Sequence, residues 1–412
     1  TGVGSITLGE LATAAGVTTV DAAAAGNTTV TAGAKFTNDL TVTLSDDDDT
    51  VSASSYTGSL TVTIDDDANL DGNDTLTGGT GADTLSVKIV TGAAITNAEL
   101  AGVSGFEVFK IANNASTNTI TLNDGNIADG KAMTVDGTAL TSDSAVLTVV
   151  GTNETNGILT VLGGAGDDVI TGTASDLGDV LTGNGGDDTF KFATANLTKL
   201  DVVTGGAGTD TLQTTDGGTL VDADFTGVTG VENLTLGAGS TVTLDTLAQG
   251  AGFSKYTLGT GTNKVTLEDG FTNNLTLNLV GGNDTVDGTD YTGTLTIAVA
   301  DDDNVDANDT LTGGTGASDT LSVAAALLTA AELANVTKFE KIVSTTDATA
   351  NIALHNNNAA AGASLTVDAS ALVSTNAATL DASNETDGLI TLIGGAAGDT
   401  ITMSASAFGG DT

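Results

Sequence analysis

The chain contains no cysteine and no proline among its 412 residues, 3% aromatic residues, 10 basic residues and a single histidine. Each shortage removes a class of explanation. Without cysteine there are neither disulfides nor thiolate metal sites. Without proline, no X-Pro isomerisation can slow folding. With so few aromatics, thin cores must be built from Val, Leu, Ile and Ala, which supply most of the 39% apolar content. The 10 bases face 53 acids, for a formal net charge of −43. That balance argues against a nucleic-acid partner and against anionic membrane surfaces. A compact state so charged repels itself unless cations bind. Disorder fits poorly, because charged residues total only 15% and apolar strand patterns are plentiful. No apolar run reaches membrane-spanning length and no signal peptide is visible, so no membrane insertion is expected.

Catalytic chemistry is also scarce. His355 lies in the polar stretch ALHNNNAA and reads as a surface residue. There is no H-E-x-x-H, no cysteine nucleophile and no phosphate-binding glycine loop ending in Lys-Ser or Lys-Thr. A serine triad would need His355 in a cleft. No enzyme is expected.

What is present is repetition. KFTNDLTVTL (Lys35–Leu44) returns as GFTNNLTLNL (Gly270–Leu279), and GNDTLTGGTGA (Gly72–Ala82) returns as ANDTLTGGTGA (Ala307–Ala317). NETNGILTVLGGAGDD (Asn153–Asp168) returns as NETDGLITLIGGAAGD (Asn384–Asp399). Residues 1–175 form one large β-rich repeat unit and 237–406 its second copy, offset by about 235 positions, with a connector at 176–236. Residues 407–412 begin a further glycine-aspartate segment, so the chain reads as a piece of a longer repetitive protein. Segments such as SLTVTI (Ser59–Ile64), NLTLNLV (Asn274–Val280) and AVLTVV (Ala145–Val150) alternate apolar residues with Thr, the period-two pattern of half-buried strands. Short helical turns fit only TNAELAGVSGFEVFKI (Thr96–Ile111), TAAELANVTKFEKIV (Thr329–Val343) and the related DADFTGVTGVENLTL (Asp222–Leu236). Glu107, Glu340 and Glu232 hold equivalent places there and read first as structural hydrogen-bond acceptors or solvated strand ends, with calcium ligation the lesser alternative.

Three nonapeptides, GGTGADTLS (Gly78–Ser86), GGAGDDVIT (Gly163–Thr171) and GGAGTDTLQ (Gly205–Gln213), fit G-G-x-G-x-D-x-U-x with U apolar; GNGGDDTFK (Gly183–Lys191) fits with Asn184 in second place. The chain thereby resembles the RTX (repeats-in-toxin) β-roll family. The resemblance implies a parallel roll of about eighteen residues per coil, with calcium held between stacked turns by glycine-loop carbonyls and the motif aspartate. On that geometry Asp168, Asp188 and Asp210 stack on one side, spaced 20 and 22, and Asp179 and Asp201 on the other, spaced 22. The expected fold is all-β: an elongated repetitive β-solenoid or β-roll, with β-sandwich-like or β-helical modules and a few short helical turns.

Multiple Ca2+ ions are the expected cofactor, and oxygen-rich turns suit that hard cation. The residues the resemblance nominates in the motifs are Gly78, Thr80, Asp83, Gly163, Ala165, Asp168, Asp179, Gly183, Gly185, Asp188, Asp201, Gly205, Ala207, Asp210, Gly313, Asp319 and Asp399. The acidic runs SDDDDT (Ser45–Thr50), DDDANLDGND (Asp65–Asp74) and their second-copy counterparts add Asp49, Asp65, Asp67, Asp74, Asp284, Asp302 and Asp309. Asp49 and Asp67, like Asp65 and Asp83, are eighteen apart, one coil of a roll.

The Thr-rich β sequence between motifs looks most like RTX-type surface-layer proteins of Gram-negative bacteria. That resemblance implies type I secretion, calcium-driven folding outside the cell, and self-assembly into a lattice or filament at the cell surface, with cell-surface polysaccharide an open second partner. The stalk of an RTX adhesin, an extracellular filament subunit, and the accessory region of a secreted hydrolase stand as alternatives.

Overall fold

A computed structural model describes all residues except 1–3, 24–25, 91–93, 115, 325–326, 374 and 404–412. The segment 407–412 therefore lies outside the described residues. The chain forms two compact units, 1–212 with 227–231, and 213–226 with 232–412. Each is a β-solenoid in which every described strand pairing is parallel.

The first unit begins with two sheets. One stacks Gly4–Leu8, Thr28–Ala32, Thr50–Ser52, Thr75–Thr77 and Val103–Ser104; the other starts at Thr19–Asp21 and runs to Val228–Thr229. Around Thr84–Ile111 the coil becomes three-sided, the first sheet ends, and a new one starts at Ala94–Ile95. The second unit repeats this exchange: the sheet begun at Thr219–Leu220 ends at Val336–Thr337, and another starts at Leu327–Leu328. The 3-10 turns Glu99–Gly102 and Glu332–Asn335 sit at these exchanges. Their first glutamates accept the Thr96 and Thr329 N–H groups at 2.5 and 2.7 Å, so the expected helical segments shrink to single turns.

Strand alternation makes the core. Val20, Val42, Val62, Leu85, Phe109, Val135, Val161, Leu181, Val203 and Val228 follow one another in register down the longest sheet of the first unit, all buried. Leu234, Tyr256, Leu277, Ile297, Leu321, Ile342, Val367 and Leu392 do the same in the second. Each such side chain contributes about 1.5–3 kcal/mol on burial, which lets a chain with few aromatics hold a narrow, continuous core.

Coil length departs from the roll expected. Hydrogen-bonded aspartates on successive coils lie 20 to 25 residues apart rather than eighteen. The acidic runs are where this matters. Asp49 stacks on Asp74, not Asp67, because the 3-10 turn Asp67–Asn69 lengthens that coil. Asp83 stacks on Glu107, not Asp65, which is exposed.

Candidate metal centre

Aspartates at the solenoid corners form hydrogen-bonded ladders. The N–H of Asp168 donates to Oδ1 of Asp188 at 2.8 Å, and the N–H of Asp188 to Oδ1 of Asp210 at 2.8 Å. On the opposite corner Asp179 donates to Asp201 at 2.7 Å. The two stacks read from the nonapeptides are therefore present. Similar links join Thr28 to Asp49, Asp49 to Asp74, Asn263 to Asp284, and Asp284 to Asp309. Two other ladders end in glutamate: Glu107 accepts the Asp83 N–H at 2.8 Å and Glu340 the Asp319 N–H at 2.7 Å. These glutamates are structural acceptors.

The second carboxylate oxygen usually closes the local turn. Oδ2 of Asp168 accepts from the Gly164 N–H at 2.7 Å, that of Asp83 from Gly79, and that of Asp319 from Gly314. Asp179 and Asp201 take Thr173 and Thr198, while Asp74 and Asp309 take Asp71 and Asp306. Asp67 accepts from Val90 and Asp399 from Ala378. Asp302 lies in the 3-10 turn Asp302–Asn304, half-buried. Thr80 and Ala165 serve the backbone: their N–H groups donate to Tyr56 and Leu140 carbonyls.

First-position glycines are required by close approach. A Cβ on Gly78, Gly205 or Gly313 would lie 1.8, 1.9 or 2.1 Å from the carbonyl oxygen of Gly105, Gly230 or Lys338 in the next coil. Those three covering residues share a left-handed backbone, φ +72°, +63° and +60°. This explains the recurring SGFE, TGVE and TKFE segments, which place a turned carbonyl over the glycine loop beneath.

The loop at Gly183 departs from this pattern. Asn184 is left-handed (φ +74°) and its strand, Val180–Gly185, continues into the glycine loop, in register with Asn184↔Gly206 and Gly185↔Ala207. Gly186, Gly206 and Gly208 also take positive φ, which costs glycine little. The Asn184 side chain donates to the Gly163 carbonyl at 2.8 Å. Oδ2 of Asp188 is left buried and without a hydrogen-bond partner. It faces Gly183: a Cβ there would lie 1.9 Å from this oxygen and 2.6 Å from the Gly205 carbonyl. Two oxygens thus converge on a space that a methyl group would fill.

Electrostatics mark the same place. Burial, with repulsion from Asp168, Asp210 and Asp167, pushes the Asp188 carboxyl up to about 8 despite the Asp168 N–H. Burial raises Asp168 and Asp179 only to about 6, each being held down by two backbone N–H bonds. A buried carboxylate without a partner requires a proton or a cation. The donors available around Gly183 are oxygens, which suit a hard cation and not zinc. Among the described residues no three acidic, histidine or cysteine side chains cluster in metal-holding geometry, so a cation there would have to draw on backbone carbonyls.

No protein family, characterised protein or solved structure matches this chain. Buried polar residues outside the motifs escape sequence reading: Glu154 and Glu385 cap the turns at Gly157 and Gly388, and the Asn126 and Asn358 side chains each bridge two carbonyls. Their one signal is recurrence at equivalent places in both copies.

Proposed function

We propose that this chain is a non-enzymatic, calcium-binding structural module of the RTX type, secreted and assembling with copies of itself at a cell surface. The observation that carries the reading is the unpartnered, buried Oδ2 of Asp188 facing the Gly205 carbonyl across Gly183. A calcium ion between loops 183–188 and 205–210 would neutralise that carboxylate, with Asp188 and Asp210 supplying charge and the loops supplying carbonyl ligands. In most other coils the second carboxylate oxygen already accepts a hydrogen bond, so the calcium dependence is concentrated where it does not. Ca2+ at about millimolar levels fills weak sites of extracellular modules, whereas the cytosolic level leaves them empty. Binding then favours the folded form by mass action.

Self-assembly is supported by an uncharged face on so acidic a chain. The outward positions of the first sheet are Ser5, Thr7, Thr29, Thr31, Thr50, Ser52, Thr75, Thr77 and Ser104, hydroxyls without a charge. Copies can pack there without bringing like charges together. Among the described residues no helix is long and apolar enough to cross a membrane.

The test is electron microscopy and circular dichroism of the purified chain in chelator and in calcium. Ordered sheets that need calcium, and a calcium response in the spectrum that Asp188→Asn reduces, are expected. Fibres in place of sheets favour the filament or adhesin-stalk reading. An unchanged spectrum and no assembly in either condition refute the proposal.

A further inference from the structure

The two repeats differ at one buried carboxylate outside the nonapeptide motifs. Asp49 and Asp284 hold the same place in their ladders, each accepting an N–H from the preceding coil on Oδ1, from Thr28 at 2.6 Å and from Asn263 at 2.9 Å. Both are fully buried. In the first repeat, Oδ2 of Asp49 is satisfied within its loop by the Ser45 N–H at 3.1 Å and the Ser45 hydroxyl at 3.3 Å. The second repeat replaces Ser45-Asp46-Asp47-Asp48 with Val280-Gly281-Gly282-Asn283. Val280 has no hydroxyl, and Gly281 and Gly282 take φ +106° and +131°. Oδ2 of Asp284 is left buried with no hydrogen-bond partner.

One further side-chain oxygen lies near this loop. The Asn304 side chain from the next coil turns its Oδ1 toward Gly281, 2.7 Å from where a Cβ would stand. The charge of Asp306 also bears on Asp284. Asn263 cannot quench Oδ2, because its amide is spent on Oδ1 of Asp284 and on the carbonyls of Gly259 and Gly261.

We infer that the second repeat carries a calcium site at Asp284, built from its Oδ2, the Asn304 side-chain oxygen and the Gly281–Gly282 loop, with no counterpart at Asp49. All of its donors are oxygens, as a hard cation requires. In the first repeat the Ser45 hydroxyl and N–H do the work that the ion does in the second. The site shares no residue with the Asp188 loops and stands or falls independently of them.

Equilibrium dialysis of the full chain against Ca2+ tests it, with Asp284→Asn, Asn304→Ala and Asp188→Asn as variants. Asp284→Asn should bind one ion fewer than the parent, and Asn304→Ala should bind that ion about tenfold more weakly, with the other ions untouched. Asp188→Asn should remove a different ion, so that the double variant loses two. Asn304→Ala leaves the ladder hydrogen bonds in place and decides the matter if Asp284→Asn does not fold. Crystals soaked in Tb3+ should show an anomalous peak beside Asp284 and none beside Asp49. Unchanged calcium binding in Asn304→Ala and a folded Asp284→Asn, or a water molecule bonded to Oδ2 in place of the peak, overturns the inference.

Discussion

In chelator, the coils around Asp188 should lose stability as pH rises from 6 to 8. The Asp188 carboxyl sits at about 8 in the folded chain against an ordinary value of 3.8, and Asp168 and Asp179 sit at about 6. A raised carboxyl pKa means that the folded state holds protons the unfolded state has released. Stability is therefore greatest below the unfolded value and falls as pH climbs toward the folded one. Between about pH 4 and 6 all three groups contribute to the decline. Above pH 6 Asp188 dominates this trio, at no more than about 1.4 kcal/mol per pH unit, or roughly 2–3 kcal/mol in all. Saturating calcium should remove this slope, because a bound cation replaces the proton on the carboxylate. Hydrogen exchange of peptides spanning residues 163–192, corrected for intrinsic rates at pH 6, 7 and 8, reads the local opening free energy directly. Asp188→Asn keeps an oxygen for the Asp168 N–H and should flatten the profile in chelator. A flat wild-type profile, or an Asp188→Asn profile as steep as the wild type, would refute the reasoning.

Two pairs of substitutions separate close approach and bonding from composition. Gly183→Ala places a methyl against Asp188 and the Gly205 carbonyl, and should cost about 1–3 kcal/mol and weaken the calcium response in thermal melts. Gly185→Ala meets nothing nearer than the Ala165 Cα at 3.9 Å and should melt like the parent. Tyr291→Phe removes a hydroxyl that donates to the Asn273 carbonyl, and urea unfolding should show a loss of about 1 kcal/mol. Tyr256→Phe removes a buried hydroxyl that has no partner and should be neutral or slightly stabilising.

The strands were readable because Thr alternates with Leu, Val and Ile, and a solenoid strand shows one row of side chains inward and the next outward. The Asp168–Asp188–Asp210 and Asp179–Asp201 stacks were readable for a related reason: in those coils each motif fixes its aspartate at the strand start, so spacing alone gives the partner. The acidic runs gave no such anchor. The turn Asp67–Asn69 adds length that spacing cannot reveal, so the partner of Asp49 is Asp74, 25 residues on.

Which carboxylate oxygens lack a partner depends on finer detail still, because it turns on backbone sign at a few residues. Asp168 and Asp188 occupy equivalent motif positions, yet Gly164 donates to the first, while the second, in the loop where Asn184 is left-handed, has no such donor. The glycines and aspartates therefore have two roles that composition merges. In most coils glycine makes room for the carbonyl above, and aspartate ties the N–H of its own turn to that of the coil before. These ladders tie the corners of successive coils together by hydrogen bonds. Where a loop leaves the second oxygen without a donor, as at Asp188 and Asp284, the same residue becomes a buried charge with an open oxygen. Dependence on a cation should track those two positions and not the total of 53 acids.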